Sequence, residues 1–88
     1  MSAVIVERHF KVEVVYNGLT KPLAVEPNEQ VAAVVEHAAH LFGITQNVHL
    51  LALFKEDGSE IAVGQTVAVA GIKPGELLAF RPSAVRGG

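Results

Sequence analysis

The side chains that most often carry out catalysis are few in this sequence and poorly spaced for it. There is no cysteine, so the chain has no thiolate nucleophile and no cysteine-based zinc site. The serines, Ser2, Ser59 and Ser83, fall in predicted loops or termini and find no histidine partner for a Ser-His-Asp arrangement. His37 and His40 have the i, i+3 spacing that can share a metal, but an exposed polar helix face is the commoner reason for it. The sequence therefore predicts no enzyme, no metal site and no cofactor.

The reactive group that the sequence does offer is the α-carboxylate of Gly88, which follows Val85, Arg86 and Gly87. A carboxylate does not react with amines at neutral pH until a partner activates it, so this group would be a substrate and not a catalyst. The two glycines lack a Cβ, which lets the backbone enter a narrow active-site tunnel. Arg86 offers a fixed positive charge outside that tunnel. The residues after Arg81 can extend roughly 23 Å at about 3.3 Å each.

The composition is that of one small folded domain. Half of the 88 residues are apolar, the formal net charge is −2, and there is no basic run that would predict nucleic-acid binding. The longest apolar run, around residues 50–54, is far too short to span a bilayer, and the N-terminal residues are too few for the apolar part of a signal peptide. These features predict a monomeric cytoplasmic protein that binds neither membrane nor nucleic acid.

The first elements form a predicted β-hairpin. Residues 10–16 (FKVEVVY) alternate in the period-2 pattern of a half-buried strand, and residues 19–25 (LTKPLAV) return after the Asn17-Gly18 turn. The register brings apolar residues opposite one another: Phe10 to Val25 and Val12 to Leu23. Pro22 cannot donate to a ladder, so the second strand is predicted at a sheet edge.

One helix follows the hairpin. Asn28 is the predicted N-cap, Glu29 lies in the predicted first turn, and Gly43 suits the position just after the end. Apolar residues recur with helical spacing between these limits and define one face. They are Val31, Val34, Val35, Ala38, Leu41 and Phe42.

The second half of the chain reads as short strands and turns. Residues 48–54 predict a strand, residues 61–63 a short return strand, residues 64–76 turns with one short helical turn, and residues 77–80 the last strand. The helix and the hairpin each have an apolar face that the other must cover. The predicted fold is therefore α+β, a β-grasp roll in which a mixed four- to five-stranded sheet packs on one main helix.

Three segments of the chain resemble ubiquitin and its relatives. FKVEVVYNGLTKPLAVEP (10–27) is similar to the first two strands and the entry to the helix, TVAVAGIKPGELLAF (66–80) is similar to the loop and final strand, and VRGG (85–88) is similar to the conjugating end. The Val/Ala-rich, cysteine-free composition resembles that of bacterial ubiquitin-like proteins. The resemblance implies residues 1–9 as a flexible extension, residues 10–81 as the ubiquitin-like domain and residues 82–88 as a flexible conjugation tail.

The resemblance also implies a function and its partners. An activating enzyme would use ATP to adenylate the Gly88 carboxylate and pass it on as a thioester, and a conjugating enzyme would transfer it to target proteins as an isopeptide bond. A deconjugating peptidase would release it, and antiviral defence is the process that bacterial relatives suggest. Partners of ubiquitin bind the sheet face away from the helix. By strand position the implied surface here comprises Leu19, Leu50, Ala52, Ala79 and Arg81.

Two other functions stay open at the level of sequence. Sulfur carriers share the β-grasp fold and a Gly-Gly end, and GELLAFRPSAVRGG is somewhat similar to their last strand and tail; Gly88 would then become a thiocarboxylate. A non-covalent ubiquitin-like interaction domain is the third possibility, and for it the tail would be irrelevant.

Overall fold

The opening hairpin has the register that the sequence predicts. The computed structural model describes residues 9–84, and in it strands β1 (Phe10–Tyr16) and β2 (Leu19–Val25) pair antiparallel. Asn17 and Gly18 join them with φ angles of 51° and 80°, the positive values that a two-residue hairpin turn of type I′ needs. The predicted pairs form: Phe10 faces Val25 and Val12 faces Leu23. Because β2 is an edge strand, it tolerates Pro22.

Helix α1 (Val31–Leu41) starts later than predicted. The predicted N-cap Asn28 and the predicted first-turn residue Glu29 lie outside it, in a separate turn in which Glu29 Oε1 accepts the Glu26 N–H at 3.1 Å. Gln30 precedes the helix and gives it no side-chain cap. The first two helical N–H groups donate to loop carbonyls instead: Val31 to Gln65 at 2.8 Å and Ala32 to Val63 at 3.2 Å. These backbone carbonyls satisfy N–H groups that a capping side chain satisfies in other helices.

The buried face and the end of α1 match the prediction. The apolar face is buried at Val31, Val34, Val35, Ala38 and Ala39, whereas Leu41 and Phe42 are half-buried. Gly43 follows the helix with φ +71°. Its N–H donates to the His40 carbonyl at 3.1 Å, and the Ile44 N–H donates to the Ala39 carbonyl at 2.8 Å. This pair of bonds is the Schellman motif, which satisfies carbonyls that the helix end would leave unpaired.

The predicted strand at 48–54 is divided into two elements. Val48–Leu50 forms a 3₁₀ helix and Leu51–Phe54 forms strand β3. The last strand, β4 (Leu77–Pro82), is longer than the predicted 77–80. Residues 64–76 form turns, as predicted, and the Ala70 N–H donates to the Thr66 carbonyl at 2.9 Å as in one turn of helix.

The predicted return strand at 61–63 is wrong. Only a single bridge pairs Glu60 with Phe54, and the Ile61 N–H donates to the Leu53 carbonyl at 2.9 Å. Beyond Ile61 the chain leaves β3, because the Val63 carbonyl accepts the N–H of Ala32 at the start of α1. Val63 therefore pairs with the first turn of the helix and not with β3.

The four strands of residues 9–84 form one mixed sheet in the order β2-β1-β4-β3. β1 pairs antiparallel with β2 and parallel with β4, and β3 pairs antiparallel with β4. Helix α1 covers one face, and the core lies between them. The fully buried side chains on the sheet side include Val12, Val14, Leu53, Leu78 and Phe80. The predicted α+β architecture, a four-stranded sheet on one main helix, is confirmed.

No helix within residues 9–84 combines the length and the apolar character needed to cross a membrane.

Candidate partner-binding face

The face of the sheet opposite the helix is built by the alternation of side chains along β1 and β4. Residues Val14 and Leu78 point into the core, so their neighbours point to the other side. The parallel register sets these outward residues beside one another: Glu13 faces Leu77 and Val15 faces Ala79. Leu77 is 37% exposed, and Val15 and Ala79 are half-buried. A strip of apolar side chains therefore crosses the middle of this outer face.

Strand β3 adds two residues to the outer face that are nevertheless buried. Phe54 pairs with Ala79 and Ala52 pairs with Arg81, so both lie on the side away from the helix. Phe54 is only 4% exposed because the guanidinium carbon of Arg81 lies 4.0 Å from the centre of its ring. Arg guanidinium groups stack on aromatic faces through cation–π attraction. Arg81 thus covers an aromatic ring that the sheet alone would leave open to solvent.

A shallow depression on this face has an apolar floor and a charged rim. Val15, Leu77 and Ala79 line its floor, and Lys55 and Arg81 are among the residues at its edge. Lys55 is held in place, since its Nζ donates to the Gly71 carbonyl at 3.2 Å and lies 3.8 Å from Glu76 Oε2. The rim carries Glu56 as well as the two cations, so the partner chemistry that this surface indicates is an apolar side chain that binds on the floor.

The structure brings three of the five predicted surface residues together. Ala52, Ala79 and Arg81 share the outer face through the β3–β4 pairing, although Ala52 is fully buried and offers no surface of its own. Leu50 ends the 3₁₀ helix, half-buried, next to this face. Leu19 is 60% exposed, but it pairs with Tyr16 and so lies on the helix side of the sheet. Leu19 therefore does not belong to this face, because the hairpin register sets it directly opposite Tyr16, whose ring contacts Phe42 and Phe80 on the helix side.

Three residues of the face were missed by the sequence analysis. The period-2 alternation already pointed Val15 outward, so this residue could have been found. Leu77 could also have been found, because it alternates with Ala79 and Arg81 along the last strand. Phe54 could not, because its burial depends on Arg81 folding over the ring. That these residues bind a partner stays a prediction.

The base of the predicted tail is part of the ordered domain. Pro82 belongs to β4, and Ser83 is 5% exposed. The Ser83 N–H donates to the Leu50 carbonyl at 2.7 Å, and its Oγ donates to Glu60 Oε2 at 2.6 Å. The Ala84 N–H donates to Glu60 Oε1 at 3.0 Å. We call this arrangement of Glu60, Ser83 and Ala84 the Glu60 clamp. It corrects the predicted boundary, since residues 82–84 are held against the domain and are not a free tail.

The remaining residues predicted to carry the conjugation chemistry, Val85, Arg86, Gly87 and Gly88, lie outside the described residues. The same holds for residues 1–8 of the predicted N-terminal extension.

The turn after β3 contains a carboxylate with a shifted pKa. Asp57 Oδ1 accepts the Ser59 hydroxyl at 2.7 Å and the Ser59 N–H at 2.9 Å. Hydrogen bonding from the Ser59 side chain, followed by that from its backbone, holds the pKa of the Asp57 carboxyl below its usual value. Asp57 is fully exposed, so these bonds stabilise a tight turn and do not suggest a catalytic acid.

The histidines form no metal centre in the part of the chain that the structure describes. His37 Nδ1 lies 2.8 Å from Glu29 Oε2, and no group of three or more His, Asp or Glu side chains in residues 9–84 is placed to hold a metal ion. The His37–Glu29 pair instead links the helix to the turn that precedes it.

Within residues 9–84, the sheet order and the one α-helix that packs on the sheet define a small β-grasp domain. Among solved structures, a designed protein based on ubiquitin matches it with a TM-score of 0.74 and 18% identity, over 91% of this chain and 95% of that one. A chain in the crystal structure of ATBAG1 in complex with HSP70 matches with a TM-score of 0.73 and 14% identity. That match covers 88% of this chain but only 42% of the other. No family model and no curated protein sequence matches the chain. The chain has a ubiquitin-like β-grasp fold.

Proposed function

We propose that the chain is a ubiquitin-like protein modifier. An activating enzyme adenylates the carboxylate of Gly88, a thiolate takes over the acyl group, and a conjugating enzyme transfers it to target proteins. A deconjugating peptidase hydrolyses the isopeptide bond, which returns the free Gly88 carboxylate and the target amine. The proposal requires that Gly88 be the last residue of the mature protein, which the intact mass of the protein purified from its own cells checks.

One observation carries the proposal. The outer-face residues Leu77, Ala79 and Arg81 lie on β4, and the same strand runs directly into Ser83 and Ala84. A partner that binds the outer face therefore has the start of the C-terminal segment beside it. A modifier needs this arrangement, because the enzyme must hold the folded domain and the reacting end at the same time.

The chemistry balances with ATP as the only co-substrate. The Gly88 carboxylate attacks the α-phosphorus of ATP, which forms an acyl-adenylate and releases pyrophosphate. A cysteine thiolate of the partner attacks the acyl carbon and AMP leaves, which gives the thioester. A target amine then displaces the thiolate and forms an amide bond. This chain contributes the acyl group and the binding surface, and the partners supply every catalytic group.

The proposal is tested in cells of the source organism that express the chain with an N-terminal epitope tag. Proteins are purified by the tag under denaturing conditions and digested with trypsin. Because trypsin cleaves after Arg86, a modified target peptide would retain Gly87-Gly88 on the acceptor amine. We expect such remnants with the wild-type chain and none after deletion of Gly87 and Gly88. Gly64→Ala is the matched control, since a Cβ at that position meets no atom within 4 Å.

The same experiment separates the other two functions. A sulfur carrier would give no remnant on other proteins, and its own C-terminal peptide would carry sulfur in place of one oxygen. A non-covalent domain would give neither product. The non-covalent reading has one specific observation in its favour, the likeness to a chain from a complex of ATBAG1 with HSP70. If native purification captures the same partner with and without Gly87 and Gly88 and the wild-type chain gives no remnant on other proteins, the chain is a binding domain and the modifier proposal is wrong.

A further inference from the structure

The Glu60 clamp uses both oxygens of one carboxylate on two successive residues. Oε2 accepts the Ser83 hydroxyl at 2.6 Å and Oε1 accepts the Ala84 N–H at 3.0 Å. Hydrogen bonds to an ionised carboxylate are among the stronger ones in proteins. Ser83 is also 5% exposed, and its N–H donates to the Leu50 carbonyl at 2.7 Å. Three hydrogen bonds thus fix two residues that follow the last strand.

Glu60 is itself held in place by β3. It forms a bridge with Phe54, and the next residue, Ile61, donates its N–H to the Leu53 carbonyl at 2.9 Å and is 3% exposed. The carboxylate therefore extends from an anchored backbone, and the clamp joins β3 to a segment 23 residues further on.

We infer that Glu60 is a positioning residue for the reacting end of the chain. This inference rests on the proposed modifier function. With Ala84 held, the four residues that follow it can carry the Gly88 carboxylate at most about 13 Å from the clamp, compared with roughly 23 Å if the segment were free from Arg81 onward. The activating enzyme must then bind the domain at the end where Leu50, Glu60 and Ser83 meet. The clamp also leaves fewer residues for the enzyme to order, which raises the rate of transfer.

The first measurement concerns the clamp alone and needs no partner. Amide hydrogen exchange at Ala84 is followed by NMR in the wild type, Glu60→Ala and Glu60→Gln. Loss of the charged acceptor should speed exchange at Ala84 about tenfold or more in Glu60→Ala. In Glu60→Gln the exchange rate at Ala84 should lie between the rates of the wild type and of Glu60→Ala, because the glutamine amide keeps both contacts as neutral, weaker hydrogen bonds. Unchanged exchange at Val34, in the middle of α1, shows that the variants remain folded.

The second measurement is the yield of Gly-Gly remnants on target proteins at matched expression. We expect Glu60→Ala to lower this yield on the order of tenfold, since the enzyme must then order Ser83 and Ala84 itself. Glu36→Ala is the matched control, because it removes an exposed glutamate from α1, away from the outer face of the sheet. Ser83→Ala is a milder second variant that deletes the hydroxyl and keeps both backbone bonds, and we expect a smaller loss in the same direction.

Each outcome decides the inference. Faster exchange at Ala84 with a lower remnant yield, and no effect of Glu36→Ala, supports it. Unchanged exchange at Ala84 in Glu60→Ala overturns it, because Glu60 then does not hold the segment. Faster exchange with a wild-type yield overturns the positioning role and leaves the proposed function standing. If the wild type itself gives no remnant, the proposed function fails and the positioning role fails with it, while the exchange data still establish the clamp.

Discussion

Replacement of Arg81 by alanine should destabilise the domain although Arg81 is exposed. Its guanidinium lies 4.0 Å from the ring centre of Phe54 and leaves that ring 4% exposed on the outer face of the sheet. Most substitutions of exposed residues change the free energy of unfolding by less than about 0.5 kcal/mol. Arg81→Ala should exceed that value, because it removes both the attraction to the ring and the cover over it.

The expected magnitude has two parts. An exposed cation–π contact contributes about 0.5–1 kcal/mol. If the substitution uncovers about a fifth of the roughly 200 Å² that a phenylalanine buries, about 40 Å² of apolar area returns to water. At about 25 cal/mol per Å² this adds about 1 kcal/mol. The total loss is about 1.5–2 kcal/mol, which for a domain of this size lowers Tm by roughly 6–16 °C.

The assay is urea unfolding followed by circular dichroism, because the chain has no tryptophan to report by fluorescence. Arg81→Lys keeps a charge and an apolar stem but loses the planar group that stacks on the ring, so it should lose about half as much. Lys11→Ala removes an exposed cation from the same sheet and serves as the control.

A loss in Arg81→Ala that equals the loss in Lys11→Ala would refute this reasoning. Arg81 would then be an ordinary surface residue, and the low exposure of Phe54 would need another cover. A changed m value would also contradict the reasoning, because Arg81→Ala is expected to expose only the Phe54 ring and to leave the rest of the native state intact.

Three further predictions concern other parts of the domain. Gly43→Ala should cost about 1–2 kcal/mol in thermal unfolding because φ at Gly43 is +71°, although a Cβ there meets no atom within 4 Å. Gly64→Ala is the control: that position also has open space but no positive φ, so the cost should be less than about 0.5 kcal/mol. The pKa of Asp57 should lie below 3.8 in an NMR titration and should rise in Ser59→Ala. Because folding lowers this pKa, the ionised Asp57 stabilises the folded state at pH values above its usual pKa, and that stabilisation is lost as pH falls through the lowered pKa of the folded state. Leu50→Asp should leave the domain folded by circular dichroism, at a cost of about 1–2 kcal/mol, and should abolish capture of the partner enzymes; unfolding would instead place Leu50 in the core.

The parts of the fold that the sequence predicts are those set by local chemistry. Asn17 and Gly18 determine the turn, and the turn determines the register of β1 and β2. The apolar spacing of α1 and the position of Gly43 likewise depend on residues within a few turns of one another. The start of α1 was misplaced because its first N–H groups bond to carbonyls more than thirty residues away.

The candidate site could be predicted only in part for the same reason. Ala79 and Arg81 follow from the alternation of the last strand. The burial of Phe54 depends on the position of a side chain on the neighbouring strand, and the Glu60 clamp joins two residues 23 positions apart. Such contacts between distant residues can be predicted only when the β3–β4 pairing is known.

The pairing of β1 with β4 has a consequence for how the protein is made. The first strand lies between two neighbours, and one of them is close to the last residue that the structure describes. During translation the hairpin can form within microseconds, but β1 keeps an open edge until Leu77–Pro82 has been synthesised. Chains that stop early would expose that edge and the apolar face of α1 to chaperones and proteases. Only a chain translated through Leu77–Pro82 can bury them.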